Sequence, residues 1–356
     1  MTLNLHDLKE PKILVVAMSG IGNLLMQTPV LRQIKSDFPS AQISVLVAPR
    51  GTKEVLKHNP FVNTIFYGSP KPSFRQWLGM VSTIQKNKFD VGMVTFPGQL
   101  TTSSSVLYFG GVSHRISHKY NYYFLKNTDL FLNETIETEN NIHDVVQNLN
   151  LLKLLGLSPD HKNAFYDFPL GNDDILEAEK FLKETDLLDQ KLIGLHPGTN
   201  EDLVYKRWPI DRWAKLADDL SSIYKAKILI FGGAEENKLK REIKKKMTKG
   251  SFPVTLSLRG TAALIKKCSF FVSNDSGLMH TSVSQQIPTF GLFGPTDERR
   301  TGPWGTFGHV IRAQGTTPNY DIKHLRTIKK QKMSDSSMLA ISKEKVLEEI
   351  RNLIPI

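Results

Sequence analysis

The stretch Phe271–His280 (FVSNDSGLMH) carries the clearest structural signal in this 356-residue sequence. An apolar run ends in Asn-Asp-Ser-Gly, where Asp275 or Ser276 is suited to cap a helix, and His280 follows one turn later. Gly277 lets a ligand approach the backbone closely, and the amides at a helix N-terminus favour an anion. The pattern predicts a strand, a turn and a helix with an anion site, although such a junction alone is more often only a capped turn.

Other short apolar runs in this half of the chain also lead into loops rich in Gly, Asp or Glu. Three of them end in His196-Pro-Gly-Thr199, Gly232-Gly-Ala-Glu-Glu236 and Gly294-Pro-Thr-Asp297. Because parallel strands end at the same edge of a sheet, these loops are expected to meet there. Lys206 would offset phosphate charge at that edge, and Glu236 is suited to receive ribose hydroxyls.

Apolar runs alternate with helical periodicity along the whole chain, which is typical of parallel sheets covered by helices on both faces. The pattern starts again near residue 190. We therefore predict an α/β protein with two Rossmann-like domains of parallel sheet, at 1–185 and 186–338. The segment 339–356 predicts a terminal helix, with Val346, Ile350 and Leu353 on one face.

The 46 basic and 35 acidic residues give a net charge of +11, which favours anionic partners. The densest basic run is Lys238–Lys249, where Leu239, Ile243 and Met247 lie four apart and share a helix face. The lysines on the other side indicate a solvated helix face, and peripheral contact with an acidic membrane surface is the alternative. No base-stacking aromatic pattern accompanies them, so no nucleic acid is expected as a partner.

Several classes of protein are not expected from this sequence. Cys268 is the single cysteine, which excludes an intrachain disulfide and a Cys-cluster metal site. No apolar run reaches the roughly 20 residues that span a bilayer, and the N-terminus lacks the pattern of a signal peptide. The loop Ser19-Gly-Ile-Gly-Asn23 lacks the third glycine of a dinucleotide fingerprint. We therefore expect a cytoplasmic protein with no nicotinamide cofactor.

The ordered motifs resemble those of the ADP-heptose:lipopolysaccharide heptosyltransferases, glycosyltransferase family 9. They are HPGT (196–199), KRWP (206–209), FGGAEE (231–236), NDSG with His280, and FGPTDERRTGP (293–303). The resemblance spans nearly the whole chain and implies the GT-B architecture: two facing Rossmann-like domains and a C-terminal helix that crosses back to the N-terminal domain. It also implies inverting sugar transfer, without metal or cofactor, from a nucleotide-diphosphate sugar such as ADP-heptose to a saccharide or glycolipid acceptor of the bacterial envelope.

The resemblance also assigns site residues in the C-terminal half. The donor-binding residues that it implies are Thr199, Lys206, Glu236, Leu256, Leu258, Asp275, Ser276, Gly277 and His280. Among them, Lys206 and His280 would also stabilise the departing diphosphate, Glu236 would hold the ribose, and the backbone at Leu256–Leu258 would face the adenine.

The N-terminal loop departs from the family at one position. By the resemblance, Gly20 and Gly22 would let the loop approach the transferred sugar, but Asn23 stands where the family has an aspartate base. An amide cannot accept the acceptor's proton. Another carboxylate may therefore substitute, Asn23 may only orient the acceptor, or the protein is a weak or inactive relative.

The acceptor side offers one further candidate, and two rival functions stay open. Arg115, in a Gly…Arg-Ile segment similar to the family's, would pair with an acceptor carboxylate or phosphate, although a role in supporting its loop fits the sequence equally. A sugar-nucleotide epimerase or hydrolase is the first rival function, because it shares the same architecture. A non-catalytic sugar-nucleotide binder is the second, suggested by Asn23.

Overall fold

The computed structural model of the chain describes residues 5–48, 51–98, 100–119, 128–139, 141–313, 315, 316, 318 and 336–356. The chain forms two compact units, Met1–Pro169 and Leu170–Ile356. Each unit contains a six-stranded parallel sheet with helices between the strands. The predicted α/β class with two parallel sheets is therefore confirmed.

The first unit alternates strands and helices in the order predicted by the sequence pattern. Its elements are β1 (Lys12–Ala17), α1 (Ile21–Asp37), β2 (Gln42–Val47), α2 (Thr52–Leu56), β3 (Thr64–Tyr67), α3 (Phe74–Asn87), β4 (Val91–Val94), α4 (Leu100–Phe109), β5 (His114–Lys119), β6 (Glu134–Glu137) and α5 (Asp144–Asn150). Short 3₁₀ helices cover Leu5–Asp7, Thr128–Phe131 and Leu151–Leu155. The strand order is β3-β2-β1-β4-β5-β6.

The second unit repeats this arrangement and adds helices at both ends. Its elements are α6 (Asn172–Glu184), β7 (Leu192–His196), α7 (Ile210–Tyr224), β8 (Lys227–Ile230), α8 (Asn237–Lys246), β9 (Ser251–Pro253), α9 (Leu258–Ile265), β10 (Phe270–Asn274), α10 (Gly277–Ser284), β11 (Thr289–Phe293), α11 (Glu298–Thr301), β12 (Gly308–Arg312), α12 (Ser336–Leu339) and α13 (Lys343–Leu353). Short 3₁₀ helices cover Glu201–Lys206 and Ala234–Glu236. The strand order is β12-β11-β10-β7-β8-β9.

Numbered within its own unit, each sheet has the strand order 3-2-1-4-5-6 of the Rossmann fold. In both sheets the first strand pairs with the fourth, β1 with β4 and β7 with β10. The connections leave these two neighbours in opposite directions, which opens a crevice at their carboxyl ends. The crevice between β7 and β10 is the point at which the predicted motifs of the second unit converge.

The boundary between the two compact units lies before α6, whereas the sequence pattern placed the domain limit at 185. Asp174, in the first turn of α6, forms a buried ion pair with Arg259 of α9 at 2.6 Å. Ala178 and Leu182 are buried in a core cluster of the second unit that includes Leu264. Helix α6, which lies on the first-domain side of the predicted limit at 185, therefore packs as part of the second unit.

The terminal helix α13 also packs in the second unit. Val346 and Ile350 are buried in the core cluster that contains Trp208 and Trp213. Lys343 pairs with Asp219 of α7 at 2.6 Å. Helix α13 contacts α7, and its predicted return to the N-terminal domain, which the resemblance implies, stays a prediction.

The sequence predicts a solvated face of lysines on the basic helix α8, and one of these lysines differs from that prediction. Lys240 is fully buried, and its ammonium donates to Gly232 O at 2.8 Å and to Thr255 Oγ1 at 2.6 Å. Lys244 and Lys245 are exposed, as predicted. In the described ranges of the chain, no helix combines the length and hydropathy needed to cross a membrane.

The buried Arg259–Asp174 pair gives a test of the boundary. We expect Asp174→Ala to lower the free energy of unfolding of the second unit by about 3–5 kcal/mol, because it removes the carboxylate that pairs with the buried guanidinium of Arg259. Denaturant unfolding followed by tryptophan fluorescence measures this, since Trp208, Trp213 and Trp304 all lie in the second unit. The control is Asp173→Ala, an exposed carboxylate in the same helical turn. Equal unfolding midpoints for the two variants would contradict the assignment of α6 to the second unit.

Candidate functional site

The candidate site of the second unit lies at the carboxyl ends of β7, β8 and β10. Ser273 in β10 is in register with His196 in β7, so the loops that follow these strands begin side by side. Phe231, directly after β8, is held to β7 through a backbone hydrogen bond from its N–H to Leu195 O at 2.8 Å. The structure thus brings together three of the loops that the sequence pattern assigned to one edge of the sheet.

His196 connects these loops through its side chain. Its Nδ1 lies 2.9 Å from Ser276 Oγ and 3.3 Å from Ser273 Oγ, both at the end of β10. Its Nε2 lies 3.2 Å from Glu236 Oε2, in the loop after β8. The imidazole is 4% exposed, so it forms a buried polar bridge between the two loops. This histidine lies in the HPGT motif, but its bridging role could not be predicted, because its partners are distant in sequence.

Glu236 is held in one position by its surroundings. The Gly233 N–H donates to Oε2 at 3.1 Å, and a Cβ placed on Gly198 would lie 1.6 Å from Oε1. Burial alone would raise the pKa of this carboxyl, but the hydrogen bonds from His196 and Gly233 and the His196 charge lower it below its usual value. The group is therefore an ionised acceptor at neutral pH, suited to receive hydroxyl groups of a ligand.

Lys206 and Asp275 form the main ion pair of the site, with Nζ and Oδ2 2.6 Å apart. Burial would raise the pKa of Asp275, but the charge of Lys206 and its hydrogen bond lower it. The lysine is 14% exposed and the carboxylate 8%. Most of the lysine is thus out of water, and its ammonium is fixed beside the N-terminus of α10.

His280 lies in the second turn of α10 and is 3% exposed. Burial lowers the pKa of its imidazole from 6.5 to about 4, the Asp275 carboxylate opposes this change, and the Lys206 charge adds to it. His280 is therefore neutral at neutral pH. A neutral imidazole carries no charge to offset a phosphate, but it still donates one hydrogen bond.

The N-terminus of α10 lacks the side-chain cap that the sequence predicts. Ser276 occupies the N-cap position, but its hydroxyl contacts His196 and Ser273 and does not cap the helix. Asp275 bonds to Lys206 instead. The N-terminal end of α10, which starts at Gly277, therefore has no side-chain cap from Ser276 and remains suited to an anion.

Two residues that the sequence analysis did not select hold the loops in place. Asn274 is fully buried, donates to Pro197 O at 2.7 Å, and accepts from Trp208 N at 3.2 Å. Arg207 donates to Thr199 O at 2.8 Å and to Thr199 Oγ1 at 3.1 Å. Thr199 is one of the residues predicted to contact the sugar donor. Its hydroxyl donates a hydrogen bond to Leu203 O at 3.1 Å, within its own loop.

The segment predicted to face a base lies next to the Glu236 loop. Leu256 and Leu258 are partly buried, and Leu256 packs against a core cluster of the second unit. The buried Lys240 joins the Gly232 carbonyl to the Thr255 hydroxyl, so the two loops are tied together by one cation. This positioning role of Lys240 had no signal in the sequence beyond the basic run.

Candidates in the first unit are described separately. Asn23 is partly buried in the first turn of α1, two residues after its first residue, Ile21. Gly20 is the N-cap of that helix, and among the described residues an added Cβ would meet no atom within 4 Å. The predicted role of this glycine, close approach to a ligand, stays a prediction, as do those of Gly22 and Asn23.

Arg115 is committed to its own loop. Its Nε donates to Phe131 O at 2.7 Å, its Nη1 donates to Val112 O at 2.5 Å, and its guanidinium lies 5.2 Å from the ring centroid of Tyr108. These contacts favour the loop-supporting interpretation of this residue. Its pairing with an acceptor anion stays a prediction.

The first unit also has a cavity of about 400 Å³ between β3 and α3. Its lining is mostly apolar and includes Phe66, Met80 and Ile84, with Gln76 and Thr83 among its polar groups. None of the predicted site residues lines it. The polar groups that could bind a phosphorylated ligand are instead found at the edge of the second sheet.

Comparison with known proteins identifies relatives of the whole chain. The family model described as glycosyltransferase family 9 (heptosyltransferase) matches residues 77–331. Lipooligosaccharide heptosyltransferase 2 of Haemophilus influenzae is 27% identical over 363 residues, covering 96% of this chain and 99% of the relative. Lipopolysaccharide heptosyltransferase 2 of Salmonella typhimurium is 26% identical, with 96% of this chain and 98% of the relative covered.

Solved structures show the same fold. The glycosyl transferase family 9 protein from Veillonella parvula has a TM-score of 0.82 at 22% identity, covering 97% of this chain and 98% of that one. Escherichia coli ADP-heptose lps heptosyltransferase II has a TM-score of 0.75 at 22% identity, covering 96% and 98%. These similarities confirm the predicted GT-B fold class.

The environment of His280 gives a prediction about pH. The unfolded state takes up a proton on this residue as the pH falls through 6.5, whereas the folded state does so only near pH 4. The free energy of unfolding should therefore fall as the pH is lowered through this window, by up to about 1.4 kcal/mol per pH unit from this group.

An NMR titration of the imidazole ring protons, assigned with His280→Asn, measures the midpoint directly. The same variant should show a smaller loss of stability between pH 6.5 and 4. A midpoint near 6.5 would show that the ring is not desolvated as described.

Proposed function

This chain belongs to glycosyltransferase family 9, and from that premise we propose that it transfers heptose from ADP-heptose to a saccharide of the lipopolysaccharide core or a related surface glycan. The protein is a glycosyltransferase. The observation that carries the choice of donor is the convergence of Lys206, Glu236 and the N-terminus of α10 at one edge of the second sheet. A phosphate-binding charge and a hydroxyl-binding carboxylate there match the diphosphate and the ribose of a nucleotide-diphosphate sugar.

The donor's diphosphate binds at the start of α10. Lys206 supplies a positive charge, and the amides of the α10 N-terminus supply hydrogen bonds and the positive end of the helix dipole. His280 adds a hydrogen bond as a neutral imidazole, and a bound diphosphate raises its pKa by stabilising the charged form. Thr199, Asp275, Ser276 and Gly277 complete the loops around the phosphates and sugar.

The nucleoside binds beside the loop after β8. Glu236 accepts hydrogen bonds from the ribose hydroxyls, and the backbone at Leu256–Leu258 lies against the adenine. Structures of the Escherichia coli heptosyltransferase WaaC with ADP and with ADP-2-deoxy-2-fluoro heptose support an adenine nucleotide sugar as the class of donor. The buried Lys240, which ties the two loops together, preserves the spacing between the ribose and adenine positions.

Sugar transfer depends on stabilising the ADP that departs. As the bond between the anomeric carbon and the phosphate oxygen breaks, negative charge grows on the diphosphate beside Lys206 and the α10 amides. These groups are already fixed in place, so little reorganisation is needed, and such preorganised charge is usually the largest catalytic contribution. In this mechanism Lys206 and the α10 amides stabilise the charge that a metal ion would otherwise stabilise. The acceptor hydroxyl attacks the opposite face of the anomeric carbon, with inversion.

Deprotonation of the acceptor is the step for which this chain differs from its family. Asn23 occupies the position of the family's base, and an amide cannot take the proton. We propose that Asn23 orients the acceptor hydroxyl, whose proton passes to solvent water as the new glycosidic bond forms, while the departure of ADP supplies most of the driving force. The epimerase, hydrolase and purely binding alternatives are not favoured, because the named relatives over nearly the full chain are heptosyltransferases.

The acceptor and the cellular location complete the proposal. A glycolipid acceptor places the reaction at a membrane surface, and the net charge of +11 favours an acidic one. A location at the inner face of the cytoplasmic membrane is part of this proposal.

The donor assignment predicts a specific loss of nucleotide affinity. Lys206→Ala and Glu236→Ala should each weaken ADP binding by roughly 10–100-fold, because each removes a hydrogen bond to or from a charged group. Isothermal titration calorimetry with ADP and ADP-heptose measures this. The matched controls are Lys215→Ala and Glu235→Ala, two exposed residues of the same types in this unit. Unchanged affinity in the Lys206 and Glu236 variants would refute the site.

The proposed role of Asn23 predicts an effect on turnover and not on donor binding. Asn23→Asp introduces a carboxylate that is able to act as a base, a function that typically contributes about 10²–10⁴-fold to rate. We expect kcat for heptose transfer to rise by at least about 100-fold, the lower end of that range, with the Kd for ADP unchanged. A fall in kcat would show that the amide is required to hold the acceptor.

A further inference from the structure

The first unit carries a cluster of exposed aromatic and aliphatic side chains on α3, α4 and the 3₁₀ helix Thr128–Phe131. We call it the aromatic patch. Its members are Phe74, Trp77, Leu78, Tyr108, Phe109, Leu130 and Phe131. Phe74 is 73% exposed and Leu130 78%, while Tyr108 and Phe109 are each about half exposed. A contiguous apolar surface of this kind indicates an interaction site.

The rings of the patch are held in place by one another. Trp77 and Phe109 join α3 to α4 with their ring centroids 5.3 Å apart, and Tyr108 lies 5.4 Å from Phe131. The Trp77 indole N–H donates to Ser105 Oγ at 3.1 Å. The surface is therefore formed before any partner binds.

Helix α3 shows that this surface is separate from the core. Met80, Val81 and Ile84 form its buried face. Phe74 and Leu78 lie four residues apart and point to solvent. Because these two side chains are exposed, the fold does not depend on them.

Helix α3 and its immediate flanks carry exposed cations. Between Gly68 and Phe89 the sequence contains Lys71, Arg75, Lys86 and Lys88 and no acidic residue before Asp90, whereas Asp129 lies in the 3₁₀ helix of the patch. Asp90 accepts a hydrogen bond from the backbone N–H of Lys12 at 2.8 Å. Lys71 and Arg75 are exposed near the first turn of α3, and Lys86 and Lys88 are exposed at its other end. The apolar surface thus has exposed cations at both ends of its main helix.

We propose that the aromatic patch docks this protein on an anionic lipid bilayer. Aromatic rings settle at the boundary between headgroups and acyl chains, and the flanking cations contact lipid phosphates. A second copy of the chain fits less well, because a symmetric pairing of the patch would bring cations against cations. The basic helix α8 also fits less well, because its exposed lysines have no exposed large apolar side chain of that helix beside them among the described residues.

The proposal rests on the proposed function only through the glycolipid acceptor, which requires the enzyme to reach a membrane. Docking is measured here without sugar transfer, and donor binding is measured without vesicles. A failure of either proposal is therefore distinguishable from a failure of the other.

The test is flotation of the full chain with vesicles of phosphatidylcholine, with and without phosphatidylglycerol. The unaltered protein should float only with the anionic vesicles and should be released by salt. Phe74→Ser combined with Leu78→Ser should reduce binding at least about tenfold, because the inserted apolar surface is lost. Lys71→Glu combined with Arg75→Glu should reduce it roughly 25-fold or more, at about fivefold for each cation removed.

The matched control is Lys244→Glu combined with Lys245→Glu on α8, which changes the net charge by the same amount and should bind vesicles nearly as well as the unaltered protein. Unchanged far-UV circular dichroism and thermal unfolding in all variants show that both units are folded, because the proposed ADP site lies in the second unit and does not report on the first. Vesicle binding by both patch variants at the level of the control would overturn the proposal. So would a loss of binding in the α8 variant alone, or an absence of vesicle binding together with a dimer that Phe74→Ser and Leu78→Ser dissociate.

Discussion

The pairing of β7 with β10 at the centre of the second sheet is the constraint on which the candidate site depends. The two strands are parallel and in register from Phe270 with Ile193 to Ser273 with His196, so their loops leave the sheet at one place. Asn274, the last residue of β10, hydrogen-bonds to Pro197 O and Trp208 N and so fixes both ends of the segment between β7 and α7. Because these contacts are backbone strand pairing and hydrogen bonds of a buried side-chain amide, the loop positions follow from the fold itself.

Burial and compensation of charge explain the chemistry of this site. Glu236 and Asp275 are both largely removed from water, and each stays ionised because a partner, His196 or Lys206, lowers its pKa against the effect of burial. His280 is neutral, because burial lowers the pKa of its imidazole to about 4 despite the opposing Asp275 carboxylate. The site therefore presents a fixed cation, an uncapped helix start and an ionised carboxylate, an arrangement that complements a nucleotide diphosphate.

The two units share one strand order but differ in what their loops and helices present. In the second unit the crevice between β7 and β10 carries the polar groups proposed to bind the sugar donor. In the first, the N-terminal end of α1 contains two glycines and the amide of Asn23, and Arg115 is hydrogen-bonded to its own loop. The exposed aromatic side chains of α3 and α4 give this unit a different physical property, a preformed apolar surface with cations around it. Donor chemistry and the proposed membrane contact are thus carried by different elements.

The sequence by itself determined the class of fold, the order of the elements and the donor motifs, because hydrophobic periodicity and strand-end loops are local features. Only the tertiary structure decided which distant side chains meet. Asp174 pairs with Arg259, 85 residues away, and so moves α6 into the second unit, while His196 reaches Glu236 across 40 residues. The burial of Lys240, the use of the Ser276 hydroxyl by His196 and the exposure of Phe74 likewise depend on packing between elements. Periodicity assigns a residue to a face of its own helix or strand, whereas burial and partners depend on what packs against that face.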